Sequence, residues 1–134
     1  MRKYEKQTYA ILRIIAGFLF ICHGSQKLLG YPPLPAGINL PWHILWIAGP
    51  IEFFGGILIM IGLGTRWAAF LASGEMAYAY WTAHAPAAIL PLVNRGELAV
   101  VYCFIFLFFS AYGGGIWSID SLISSNKRSG AKQQ

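Results

Sequence analysis

The chain has 134 residues, of which 57% are hydrophobic, and its 15 glycines (about 11%) bring the apolar share to about 68%, where soluble domains hold ~45–50% on the same count. Only 11% of residues are charged and the mean hydropathy is +0.55, so there is too little polar material to cover a water-facing surface and a soluble enzyme is all but excluded. Disorder fails on the same numbers, because a disordered segment needs low hydrophobicity and high charge rather than 16% aromatics. The net charge of +5 comes without a basic, aromatic-interleaved patch, so it reports loop orientation in a bilayer and not nucleic-acid binding.

A helix needs ~20 residues to cross ~30 Å of hydrocarbon, and hydropathy yields four such segments: residues 9–29, 42–63, 67–83 and 98–116. The expected fold is all-α, an integral membrane four-helix bundle forming one domain over residues 1–124. A basic, disordered tail is expected at 125–134. Arg13 interrupts the first apolar run, no small-x-small cleavage site follows it, and Cys22 is preceded by the bulky Ile21; the segment therefore reads as an uncleaved span. Pro32, Pro33, Pro35 and Pro41 then preclude helix through the first loop. Pro50 predicts a kink in the second span, because it removes the bond to the Trp46 carbonyl. Gly64-Thr65-Arg66 is so short that spans two and three must form an antiparallel hairpin. Seven basic residues (Arg2, Lys3, Lys6, Arg66, Lys127, Arg128 and Lys132) fall on one side against Lys27 and Arg95 on the other, which places both termini in the cytoplasm.

Charges within the spans carry the chemistry. Arg13, Glu52 and Glu75 each cost about 2.5–3.5 kcal/mol to insert at a helix centre, so they are expected to face inward and to be paired. At 100° per residue Arg13, Gly17, Phe20, Gly24 and Lys27 share one stripe of the first span, and Gly49, Glu52 and Gly56 share one of the second. Small residues one turn from a charge allow close helix approach. Arg13 is expected to pair with Glu75 or with Glu52, leaving a carboxylate to exchange a proton or bind a polar ligand. His23 and Lys27 supply a second positive group, so Arg13, His23, Lys27, Glu52 and Glu75 form the candidate pocket.

Ala69, Ser73 and Ala77 offer a small face in the third span. Asn94-Arg95-Gly96-Glu97 has the spacing of a capping box opening the fourth, and His84, Asn94 and Glu97 make a secondary group at the outer face. Cys22 and Cys103 lie at similar depth; they read as small buried hydrophobes or as a redox pair if their helices face each other. Neither the cysteines nor the scattered His23, His43 and His84 has the spacing of a metal site. Gly113-Gly114-Gly115 lacks the Lys and Ser/Thr of a phosphate loop, and Trp117-Ser118-Ile119-Asp120 reads as an interfacial anchor.

Arg13 with Gly17, His23-Gly24-Ser25-Gln26-Lys27-Leu28, Gly49-Pro50-Ile51-Glu52-Phe53-Phe54-Gly55-Gly56, Gly62-Leu63-Gly64-Thr65-Arg66, Glu75-Met76-Ala77, His84, Asn94-Arg95-Gly96-Glu97 and Trp117-Ser118-Ile119-Asp120 resemble, in that order, the DoxX family. The resemblance implies a small multi-pass protein of the bacterial cytoplasmic membrane. It also implies kinship with subunits of quinol oxidases, thiosulfate:quinone oxidoreductases and complexes handling thiol or oxidative stress. The leading expectation is a membrane subunit of a redox complex, with redox partner subunits and a quinone as its cofactor or ligand. It has no electron carrier of its own and is not catalytic alone. A scaffold or assembly factor, and a proton-coupled permease working as a homo-oligomer, are the alternatives.

Overall fold

The computed structural model describes residues 2–34, 36–37 and 39–130, and among them every regular element is helical. A single 3₁₀ turn, Arg2–Tyr4, leads into α1 (Glu5–Leu28). That helix stops before Gly30, whose φ of +68° suits glycine, and before the prolines that cannot continue it. Of the predicted loop, Pro35 and Ile38 lie outside the described residues. Helix resumes as a wide π turn, Ile44–Ala48, that runs directly into α2 (Gly49–Ile61). The break expected at Pro50 is thus taken up one turn earlier: Gly49 N–H reaches back to the Ile44 carbonyl, and Pro50 falls in the first turn of α2, where its missing N–H costs nothing.

The α2–α3 turn is a Schellman ending. Leu63 N–H bonds the Leu58 carbonyl at 2.9 Å and Gly62 N–H the Ile59 carbonyl at 3.2 Å, with Gly62 in the left-handed region. Next come α3 (Thr65–Ala79), a second π turn Tyr80–His84, the short α4 (Pro91–Asn94), α5 (Glu97–Tyr112) and α6 (Ile119–Gly130). Two helical stretches, Arg2–Leu28 and Ile44–Ile61, are long and apolar enough to cross a membrane; Glu97–Tyr112 is apolar but shorter. The fourth segment, expected to reach residue 116, ends at Tyr112 because Gly113 turns the chain at φ +90°.

Helix α1 packs on α2, α2 on α3 and α3 on α5, while rings close the circle from α5 to α1: Phe20 lies 4.6 Å from Phe106 and Tyr9 5.5 Å from Phe109, centroid to centroid. The α1–α2 seam is built from glycines. A Cβ on Gly17 would stand 2.7 Å from Met60 N and one on Gly56 2.8 Å from Ile21 N, so backbones touch where side chains are absent, as membrane helices require. On α3 the buried face is Ala68, Ala69, Ala72, Ser73 and Met76; Ala69 and Ser73 lie in it as expected, and Ala77 is only half-buried. Ser73 Oγ donates to the Cys103 carbonyl at 2.8 Å. Both cysteines are free thiols.

Two local expectations are corrected. Gly96, not Asn94, precedes the first turn of α5, and no side chain caps it; Arg95 in the left-handed conformation ends α4 and shifts the register of the predicted box, so Glu97 is the first helical residue and exposed. The chain after residue 124 is also helical, as part of α6 through Gly130, and residues 131–134 lie outside the described residues.

Candidate functional site

Because α1 and α2 run antiparallel, residues near the end of α1 meet the start of α2. Lys27, in the last turn of α1, therefore reaches Glu52, and its Nζ contacts both carboxylate oxygens. Glu52 is only 2% exposed and Lys27 16%, so this pair is held away from solvent. Glu75 approaches from α3, and its Oε2 is buried with no hydrogen-bond partner among the described residues. One ammonium thus faces two carboxylates, one of them with an unused acceptor.

These groups line a cavity of about 560 Å³. His23 and Tyr102 stand on its wall, edge to face at 6.3 Å. Phe20, Met76, Leu98 and Ala99 supply part of the apolar lining, and His43, Thr82, His84 and Arg95 also border it. Four of the five predicted pocket residues, His23, Lys27, Glu52 and Glu75, are therefore brought together. Tyr102, Arg95 and His43 were not among them. Tyr102 had no sequence signal beyond being a polar aromatic inside an apolar run, whereas Arg95 stood in a motif that resembled a cap.

Arg13 is the exception. It is completely buried, yet it pairs with neither carboxylate: Nη1 donates to the carbonyls of Ile59 and Met60, both at 2.6 Å, and Nη2 to that of Trp117 at 2.7 Å. The antiparallel register explains the difference. Residue 13 meets the far end of α2, where the macrodipole is negative and the last carbonyls have acceptor capacity to spare, Ile59 keeping only the 3.2 Å bond from Gly62 N–H, while Glu52 lies two turns away.

Two further groups tie the same end of the bundle. Arg66 donates to the Ser110, Ala111 and Tyr112 carbonyls at the end of α5. Asp120 accepts from Gly64 N–H at 2.8 Å, Thr65 N–H at 3.0 Å and the Thr65 hydroxyl at 2.9 Å, capping α3 from another helix. Burial pushes the Asp120 carboxyl up, but those three hydrogen bonds and the Arg13 charge outweigh it and hold it below the ordinary aspartate value. The Trp117-Ser118-Ile119-Asp120 motif is thus a clamp on the α2–α3 turn, with Asp120 N–H also bonding the Gly62 carbonyl at 2.9 Å.

The outer group splits as well. His84 lines the cavity and its Nδ1 lies 3.2 Å from the Asn94 carbonyl. Asn94 organises the loop, accepting from Gly96 N–H at 2.7 Å and donating to the Ala88 carbonyl at 2.6 Å. Glu97 does not line the cavity. Although His23, His43 and His84 share one cavity, no three His, Cys, Asp or Glu side chains among the described residues are grouped to hold a metal ion.

The DoxX family model matches residues 8–85, the stretch that carries Lys27, Glu52 and Glu75. The chain is 40% identical over 126 residues to an uncharacterized protein of Haemophilus influenzae, covering 90% of this chain and 94% of that one. It is 25% identical over 123 residues to a Bacillus subtilis protein named "Putative oxidoreductase CatD", with 90% of each chain covered. Over 129 residues it is 28% identical to the inner membrane protein YqjF of Escherichia coli, covering 92% and 98%. No solved structure matches the chain.

Proposed function

This chain belongs to the DoxX family of membrane proteins, and from that premise we propose that it is a membrane subunit of a redox complex whose cavity holds the head of a quinone-type ligand. The observation that carries the reading is the buried, unpartnered Glu75 Oε2 beside the Lys27–Glu52 pair. An unsatisfied acceptor in a cavity is costly; a ligand hydroxyl such as that of a quinol relieves it by donating a hydrogen bond, and once protonated the same carboxyl donates to a quinone carbonyl. A quinone presents two carbonyls on an apolar ring, matching Lys27 and Tyr102 as donors within a wall of Phe20, Met76 and Leu98. Reduction of a bound quinone to the quinol would take up two electrons, supplied by a partner subunit, and two protons, which Glu75 would pass on one at a time, reloading from water through the cavity mouth. The printed name of the Bacillus relative, "Putative oxidoreductase CatD", agrees with that chemistry.

The setting follows from the same reading. α1, the Ile44–Ile61 stretch, α3 with its π turn and α5 span the bacterial inner membrane, the location named for the Escherichia relative. The basic residues at both termini and Arg66 face the cytoplasm, and the cavity mouth with His43, His84 and Arg95 faces outward.

The test is organic extraction and mass spectrometry of protein purified in mild detergent, beside Glu75→Gln and Glu52→Gln variants. A stoichiometric quinone in the parent, lost from a folded Glu75→Gln variant, supports the proposal. A folded parent that yields no such lipid removes it and leaves the scaffold reading, in which the Lys27–Glu52 pair serves only packing.

A further inference from the structure

A second hollow, of about 610 Å³, lies against the cavity on the outer side of α2 and α3. Its lining is almost wholly apolar, with Ile51, Phe70, Leu71 and Tyr78 along its length. The two spaces share His43, Ile44, Ala48, Glu75 and Ala79, so one carboxylate and one imidazole stand on the wall between a polar chamber and an apolar trough. The trough has a structural cause. Although α2 and α3 are joined by the shortest turn, each makes its main contact elsewhere, α2 with α1 and α3 with α5. The wide turn Ile44–Ala48 lies at one edge, and at Gly74 an added Cβ would meet nothing within 4 Å.

We propose that this trough is the side entrance and tail channel of the cavity, so that the ligand is a single-tailed amphiphile that enters from the bilayer between α2 and α3. The inference rests on the quinone-type reading above and adds to it the tail and the route. Leu71 to Tyr78 spans seven residues of α3, or about 10 Å of trough at ~1.5 Å per residue, which accommodates the first part of an isoprenoid or alkyl chain. The remainder continues into lipid. In a bilayer the trough adds little transfer energy, since lipid tails are as apolar as its walls; what it provides is the path that lets the head seat beside Glu75 while the tail stays in hydrocarbon.

Gly74 makes the proposal testable, because a side chain there projects into open space and leaves the helix contacts alone. The probes are 2,3-dimethoxy-5-methylbenzoquinone without a tail and the same head carrying a decyl tail, each titrated against the parent, Gly74→Ala and Gly74→Phe in detergent. Monodispersity and thermal unfolding establish that each variant is folded. The expected result is that Gly74→Phe weakens the tailed probe by about tenfold, a difference of about 1.4 kcal/mol, leaves the tail-less probe within about twofold, and that Gly74→Ala matches the parent. If a folded Gly74→Phe binds both probes as the parent does, or loses both equally, the trough is not the tail channel, and the cavity reading stands on its own test. If the parent binds neither probe, the cavity reading fails and this inference fails with it.

Discussion

The α1–α2 seam sets the distance between Lys27 and Glu52, and Gly24 is where that seam is tightest. A methyl group added there would run into Phe53 N and stand 2.6 Å from Phe53 Cα, where ordinary contact begins at 3.4 Å. The obstruction is backbone of the residue next to Glu52, so no side-chain rotation relieves it and the helices must part by roughly 1 Å, against a core that packs at crystal-like density. Overpacking of this kind costs about 1–3 kcal/mol, and the gain of ~0.4–1 kcal/mol from stiffening the unfolded chain offsets part of it. Gly24→Ala should therefore lose about 1–2 kcal/mol in reversible unfolding by denaturing detergent, and its ligand affinity should fall because Lys27 is drawn from Glu52. Gly55→Ala is the control: an added Cβ meets nothing within 4 Å, so it should be neutral or slightly stabilising. If Gly24→Ala unfolds with Gly55→Ala, the close approach does not hold the helices and the reasoning is refuted.

Arg13→Lys should destabilise by about 3 kcal/mol or more, since a compact ammonium cannot reach two carbonyls at the end of α2 and a third in the loop before α6 as a guanidinium fork does; folded survivors should keep the parent's ligand affinity, checked by titration after thermal selection, because Arg13 does not line the cavity. Asp120→Asn should cost about 1 kcal/mol as a lost cap. Its pH signature follows from the depressed folded value: the parent's stabilisation is fully present above the ordinary aspartate value and is lost as pH falls through the lower folded one, so melting curves of parent and Asp120→Asn should converge in acid and separate toward neutrality.

The helices and their inward faces were legible because a bilayer demands long apolar runs and makes every internal charge conspicuous. Glu52 and Glu75 stand out in that way, and Lys27 and His23 as polar groups one turn apart near the outer end of the first span. Pairing was not legible: stripe geometry places Arg13 and Lys27 on one face of α1, yet which of them meets Glu52 depends on how far α2 slides along α1, and the glycine contacts at Gly17 and Gly24 set that. Asn94-Arg95-Gly96-Glu97 misled for a local reason, as one left-handed residue, Arg95, moves the helix start past the predicted cap. Asp120 was read as part of an anchor because capping from another helix leaves no trace in local spacing. Tyr102 became part of the site only through the packing of α5 beside α1.

The most direct test of the central claim is photolabelling of the purified protein with an azido-quinone, followed by peptide mapping. Label should concentrate on peptides carrying His23, Met76 and Tyr102, be displaced by excess unlabelled quinone, and be lost in Glu75→Gln. Label spread evenly over outward residues such as Leu12, Phe54 and Phe104, all exposed, and unchanged in Glu75→Gln, would show that the cavity is not where the ligand sits.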